Sequence, residues 1–194
     1  MRRFKSFFAV FFVIIIVRLY SQPLPPSLTF ELKTASDVKF SFTTIQDYLS
    51  GIIKFNVITL NIKAIGTEWD LYVKTTTNVA GYWDEAGIYY STSGEKPPVN
   101  ILELRFNNIN KTANDDNFFP VTNIPVYVIG SSNNDPSISC GLNQPTNVPG
   151  NYLDNPSCYK FNVDMKIKPG MNLPNVYRAG IYTLRVDFIL VEDL

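Results

Sequence analysis

Apolar and polar residues alternate singly through most of this chain, and no other sequence feature restricts the fold as strongly. A strand points successive side chains to opposite faces, so a period of two marks a strand with one buried face. Leu28, Phe30 and Leu32 alternate with Thr29, Glu31 and Lys33, and Val38, Phe40 and Phe42 repeat the pattern. Within 57–64, Leu60, Ile62 and Ala64 stand against Thr59, Asn61 and Lys63. Further strands are expected at 69–76, 88–91, 101–107, 124–129, 159–168 and 181–192, with Gly, Pro, Asn or Asp in the gaps. The segment 45–53 offers one turn of helix at most, and no stretch sustains a 3.6-residue period. Beyond residue 21 there are 19 Asn and 14 Thr but only 6 Ala, a balance that favours turns and strands over helices. About nine or ten strands in roughly 170 residues, without βαβ alternation, predict an all-β antiparallel sandwich or barrel.

The first residues follow a different rule. Arg2, Arg3 and Lys5 precede an apolar run over 7–17, which Arg18 ends before a spanning length of about 20 residues is reached. A basic start, a short apolar middle and a small residue at the exit predict a secretory signal peptide over 1–21, cleaved after Ser21. Residues 22–194 then form a single β-sandwich domain with no transmembrane segment. Losing the four basic residues of the leader leaves 13 basic and 17 acidic side chains. A net charge of −4 without a basic cluster argues against nucleic acid as a partner. Export also implies an oxidising compartment, so Cys140 and Cys158 are expected to form a disulfide. The bond closes a loop of about 19 residues, brackets most of the Asn/Pro/Ser-rich region 131–156 and contributes about 3 kcal/mol in the chain-entropy account.

The last segment is the longest alternating one. Tyr182, Leu184, Val186, Phe188 and Leu190 share one face, and Thr183, Arg185 and Asp187 the other. Ile189 and Val191 make the outer face apolar as well, which predicts that this end is covered. The turn Ala179-Gly180-Ile181-Tyr182 feeding this strand resembles the C-terminal end of chaperone–usher pilins and of spore-coat-protein-U-like secreted domains of Gram-negative bacteria. The segment Trp69-Asp70-Leu71-Tyr72-Val73 is similar to the central strands of the same group. The resemblance implies an immunoglobulin-like sandwich assembled at the cell surface, with other surface or fibre proteins, itself included, as partners. The cysteines depart from the pilin pattern by sitting late in the chain. Pro23, Pro25 and Pro26 depart from it too, because proline cannot donate ladder hydrogen bonds in an exchanged N-terminal strand.

Few residues offer chemistry. The chain contains no histidine, which removes Ser-His-Asp, Cys-His and His-ligated metal arrangements. No G-x-S-x-G elbow occurs. Asp70 and Asp84 are the carboxylates that separate segments could bring across a glycosidic bond. The runs Asn114-Asp115-Asp116-Asn117 and Asn133-Asn134-Asp135 offer oxygen ligands but lack the calcium-loop spacing. We therefore expect no catalytic residues, no metal and no cofactor. Tyr82, Trp83, Tyr89 and Tyr90 are the candidate ligand-binding residues, since exposed aromatic rings stack on sugars and anchor protein contacts. The same rings can instead close the end of a core. The expected role is that of a secreted, non-enzymatic surface or appendage component acting by assembly or adhesion, with a carbohydrate-binding module as the alternative.

Overall fold

Alternation becomes structure through two facing sheets. The computed structural model describes residues 24–34, 37–88, 94–108, 118–129, 152–153, 156–169 and 177–193. The expected leader 1–21, Cys140, Tyr89, Tyr90 and the two Asn/Asp runs lie outside the described residues. Ten strands are present among those described: β1 (Ser27–Thr34), β2 (Ile52–Ile65), β3 (Glu68–Thr76), β4 (Asp84–Ile88), β5 (Leu102–Asn108), β6 (Phe119–Pro120), β7 (Val126–Ile129), β8 (Lys160–Ile167), β9 (Gly180–Thr183) and β10 (Arg185–Asp193). They form a five-stranded sheet in the order β1-β2-β8-β5-β6, a three-stranded sheet β10-β3-β7 and a two-stranded sheet β4-β9. Every strand pairing is antiparallel and the sheets are not closed. The chain is an all-β protein of sandwich type.

The core lies between the two larger sheets. Ile58, Leu60, Ile62 and Ala64 of β2 and Phe161, Val163, Met165 and Ile167 of β8 meet Trp69, Leu71 and Val73 of β3. Two ring contacts tie the layers together. Trp69 sets its edge against Phe161 at 6.2 Å, and Phe106 of β5 meets Phe188 of β10 at 6.0 Å. These positions are the inward members of each alternating segment, as a period of two requires.

Two segments depart from the expectation. Val38, Phe40 and Phe42 are half-buried and pack against the core, but among the described residues the segment joins no ladder. Alternation reports a half-buried extended chain; it does not report a hydrogen-bonded neighbour. Of the strand expected at 88–91, Ile88 is the last residue of β4, and 89–91 lie outside the described residues. The terminal segment is two strands, not one: β9 pairs with β4, and β10 pairs with β3. The break has a local cause. One ladder ends at Arg185↔Thr76 and the next begins at Thr183↔Asp84, so the whole excursion from Thr77 to Trp83 stands opposite Leu184 alone. Tyr182 accordingly leaves the core row, whereas Leu184, Val186, Phe188 and Leu190 stay packed on it. The outer end of β10 is also not covered, because Val191 is 44% exposed.

Helix α1 (Ile45–Ser50) fills the place expected to hold a single turn. A reciprocal cap starts it. The Thr44 hydroxyl accepts from the Asp47 amide at 3.1 Å, and the Asp47 carboxylate accepts from the Thr44 and Thr43 amides at 2.8 and 2.9 Å. The Thr43 amide, then the Thr44 amide and hydroxyl, hold the Asp47 carboxyl below its ordinary value. A depressed folded-state value stabilises the fold above the unfolded aspartate pKa, and that contribution disappears as pH falls through the folded value. Between pH 6 and pH 3 the wild type should therefore lose more stability than Asp47→Ala. Urea melts at the two pH values measure the difference, and equal losses would exclude the cap as their source.

Gly51 ends the helix at φ +74° and lets β2 begin against β8. A Cβ there would stand 2.6 Å from the Ile167 carbonyl oxygen. Gly51→Ala should cost about 1–3 kcal/mol, from left-handed strain plus this contact. An unchanged urea midpoint would contradict that assignment.

Cys158 lies in the 3-10 helix Pro156–Tyr159, packs against the core and is not a free thiol. Among the described residues no helix is long and apolar enough to cross a membrane.

Candidate functional site

The excursion between β3 and β4 holds two of the four candidate aromatic residues. It is built by local hydrogen bonds rather than left slack. The Asn123 amide group donates to the Thr75 carbonyl at 3.1 Å and to the Thr77 hydroxyl at 3.2 Å, and its side-chain oxygen accepts from the Gly81 amide. The Asn78 amide donates to Asp84 Oδ1 at 2.8 Å, and the Val99 amide to the Gly81 carbonyl at 2.9 Å. Gly81, at φ +89°, supplies a backbone conformation that other residues resist.

Within this frame the two rings part company. Trp83 packs against the core, and its indole N–H donates to the Pro98 carbonyl at 3.1 Å. Its backbone amide donates to the Pro97 carbonyl at 3.0 Å. Tyr82 is 45% exposed and forms an isolated bridge with Pro98. One expected residue thus closes the end of the core while its neighbour faces solvent. No contact among Tyr82, Trp83, Tyr89 and Tyr90 as a group can be drawn, because Tyr89 and Tyr90 lie outside the described residues.

Beside the excursion, β4 and β9 carry a polar cluster that sequence reasoning did not find. Arg178 Nη2 lies 2.7 Å from Glu85 Oε2, and Lys96 Nζ lies 3.9 Å from the same oxygen. Tyr182 stands opposite Glu85 in the ladder, and its hydroxyl donates to the Arg178 carbonyl at 2.8 Å. Glu95 bridges Tyr177 and accepts the Arg178 amide at 3.1 Å. Burial raises the Tyr182 hydroxyl above its ordinary value, as it does that of Tyr177, where Glu95 adds to the effect. Both phenols stay protonated donors at neutral pH. Among the described residues Glu85 Oε1 and Arg178 Nε are buried without a hydrogen-bond partner. The cluster gathers hydroxyl, carboxylate and guanidinium groups, and Glu85 follows the exposed Tyr82 by three residues.

The carboxylates considered for hydrolysis are not brought together. Asp70 on β3 accepts from the Tyr127 hydroxyl at 3.1 Å and from the Tyr72 hydroxyl at 3.3 Å, and the two rings meet edge to face at 5.1 Å. Asp84 caps the Asn78 amide in the other ribbon. Each is committed to its own local network.

A second feature absent from the sequence reading lies on the outer face of the five-stranded sheet. Arg105 on β5 and Asp164 on β8 face each other across the ladder and are only 1% and 2% exposed. Arg105 donates through Nε at 3.0 Å and Nη2 at 2.8 Å to Asp164 Oδ2, which also accepts from Asn107 at 2.9 Å. Asp164 Oδ1 accepts the backbone amide of Asn56 at 2.7 Å. Asn56 has φ +52° and sits where the β2–β8 register shifts between Lys54 and Ile58. The Phe118 ring lies 4.5 Å from the Arg105 guanidinium carbon and the Phe55 ring 5.8 Å from it. Arg105, Asn107 and Asp164 all occupy outward positions of alternating strands, where polar residues ordinarily meet water. Only the register and the two covering rings reveal their burial.

A cavity of about 440 Å³ opens where β2 meets the 3-10 helix, between Asn61, Lys63, Tyr152, Tyr159 and Lys160. Among the described residues no group of three acidic or cysteine side chains is placed to hold a metal ion. Comparison with known protein families and with curated proteins finds no match to this chain.

Proposed function

We propose that this protein is a secreted, non-enzymatic surface or appendage component that works by assembly or adhesion. The observation that carries this reading is the free edge of β10, a nine-residue strand paired on one side only among the described residues. Unpaired strand edges are templates for association with another chain, and soluble monomers commonly blunt them. The leader over 1–21 supports export. In this reading the Cys140–Cys158 pair is a disulfide, and the sandwich is immunoglobulin-like, as the pilin resemblance implies. Mass spectrometry of the processed protein without reductant should give the oxidised mass. Expression with the native leader, followed by cell fractionation and electron microscopy, tests the function. Surface-associated or polymeric protein is expected, and a purely monomeric product with no surface association overturns the proposal.

A carbohydrate-binding role is the second reading, favoured by the exposed ring of Tyr82 on the loop that leads into β4. Glycan binding that weakens in Tyr82→Ala supports it, and binding that is absent from the wild type or unchanged in the variant ends it.

A further inference from the structure

β10 is the outermost strand of the three-stranded sheet. Its ladder to β3 runs from Arg185↔Thr76 to Asp193↔Glu68 with no register shift. Val186, Phe188 and Leu190 turn inward onto the core, so Arg185, Asp187, Ile189 and Val191 take the outward positions, and Asp193 holds the next register position of that row. Alternate N–H and C=O groups of such a strand point away from its one neighbour. The other edges are shorter or carry protection. β6 has two residues and ends in Pro120, β7 has four described residues and a register shift, and β1 follows a proline-rich approach and carries Lys33. β10 contains no Pro, Gly or Lys and has no bulge.

We propose that a second copy of this chain occupies this edge, with the two β10 strands antiparallel about a two-fold axis at Ile189. The two sheets then become one of six strands, in the order β7-β3-β10-β10-β3-β7. Charge selects this register. A two-fold axis normal to the sheet keeps outward residues opposite outward residues. Centred on Ile189, it places Arg185 opposite Asp193 of the second copy at both ends, with Ile189 meeting itself between them. Centred on Leu190, it would set Asp187 opposite Asp193, a like-charge pair; centred on Phe188, it would leave Arg185 opposite Val191. The Ile189 register is also the one that pairs all nine residues. Arg185 is suited to its part, since its side chain is 71% exposed while it holds Asp187 at 2.7 Å.

This inference rests on the assembly reading and names the partner and the surface. Sedimentation and light scattering of the processed protein from about 1 to 100 μM should show a monomer–dimer equilibrium. Ile189→Lys sets two ammonium groups on the axis and should raise the dimer Kd about tenfold or more, with an unchanged circular dichroism spectrum. Arg185→Asp should weaken the dimer in the same direction, and Arg185→Asp combined with Asp193→Arg should restore it. Both charge changes lie at the strand's ends, so they keep the test intact if the lysine variant does not fold. A wild-type monomer across this range, a dimer indifferent to Ile189→Lys, or a swap without rescue overturns the assignment. If surface polymers persist in Ile189→Lys, this edge fails as the contact while the assembly reading stands. If the wild type shows neither dimer nor surface association, both fail.

Discussion

Asp164→Ala should lower the unfolding free energy by about 3–5 kcal/mol, the range seen when one partner of a buried ion pair is removed. The carboxylate is the hub of its network, accepting from the Arg105 guanidinium, the Asn107 amide and the Asn56 backbone N–H. Its loss leaves the Arg105 charge buried beneath Phe55 and Phe118 and orphans the amide at the bulge. Asp164→Asn keeps an acceptor of the same shape but not the countercharge, so most of the loss should remain. The pair itself is not expected to be worth that much. Taking two charges out of water costs nearly as much as their attraction returns, so Arg105→Met with Asp164→Leu should recover a large part of the stability. Urea denaturation of the three variants decides the matter. A loss below about 1 kcal/mol in Asp164→Ala would mean that water or another group compensates the Arg105 charge. The bulge offers an independent readout. Proton exchange at the Asn56 amide should accelerate in Asp164→Ala even under conditions where the core strands stay protected.

Trp69→Ala should cost a similar amount, about 3–5 kcal/mol, for a different reason. Trp69 is the largest fully buried side chain, seated on β3 with its ring edge against Phe161 of the opposite sheet. Truncation removes apolar area from the centre of the sandwich and leaves a void that two sheets held by their own ladders cannot close. Trp69→Phe separates the contributions. Among the described residues the indole N–H has no partner, so replacing it abandons no hydrogen bond. Phenylalanine retains the edge-to-face contact and should cost only about 1–2 kcal/mol. A phenylalanine variant as unstable as the alanine one would show that the indole N–H is satisfied after all. The protein has two tryptophans, so fluorescence of Trp69→Phe also reports Trp83 alone. Trp83 stands half-buried at the Pro97–Pro98 wall, and its emission should shift to the red on unfolding.

Legibility differed by element. The inward residues of β2, β3 and β8 were visible as alternating positions, because burial on one face of a strand writes a period of two directly into the chain. The Val38–Phe40–Phe42 segment shows the limit of that signal: side chains obey the pattern while the backbone finds no ladder among the described residues. Asn123 and the Gly81 turn, which hold the excursion before Trp83, carried ordinary loop residues with nothing to mark them. Arg105 and Asp164 were hidden more completely. Each lies at a polar position of its own strand, and their meeting depends on β5 and β8 being neighbours in a register that neither segment specifies.

What the sequence determined by itself was the all-β class, most of the strands and the inward row of each, since these follow from the chemistry of neighbours one or two residues apart. Tertiary structure alone decided the rest. It divided the terminal segment between two sheets, buried an ion pair on an outward face, packed Trp83 against the core and left β10 paired on one side only among the described residues. Those outcomes depend on which distant strands share hydrogen bonds, and a local period of two contains no information about the neighbour across the ladder.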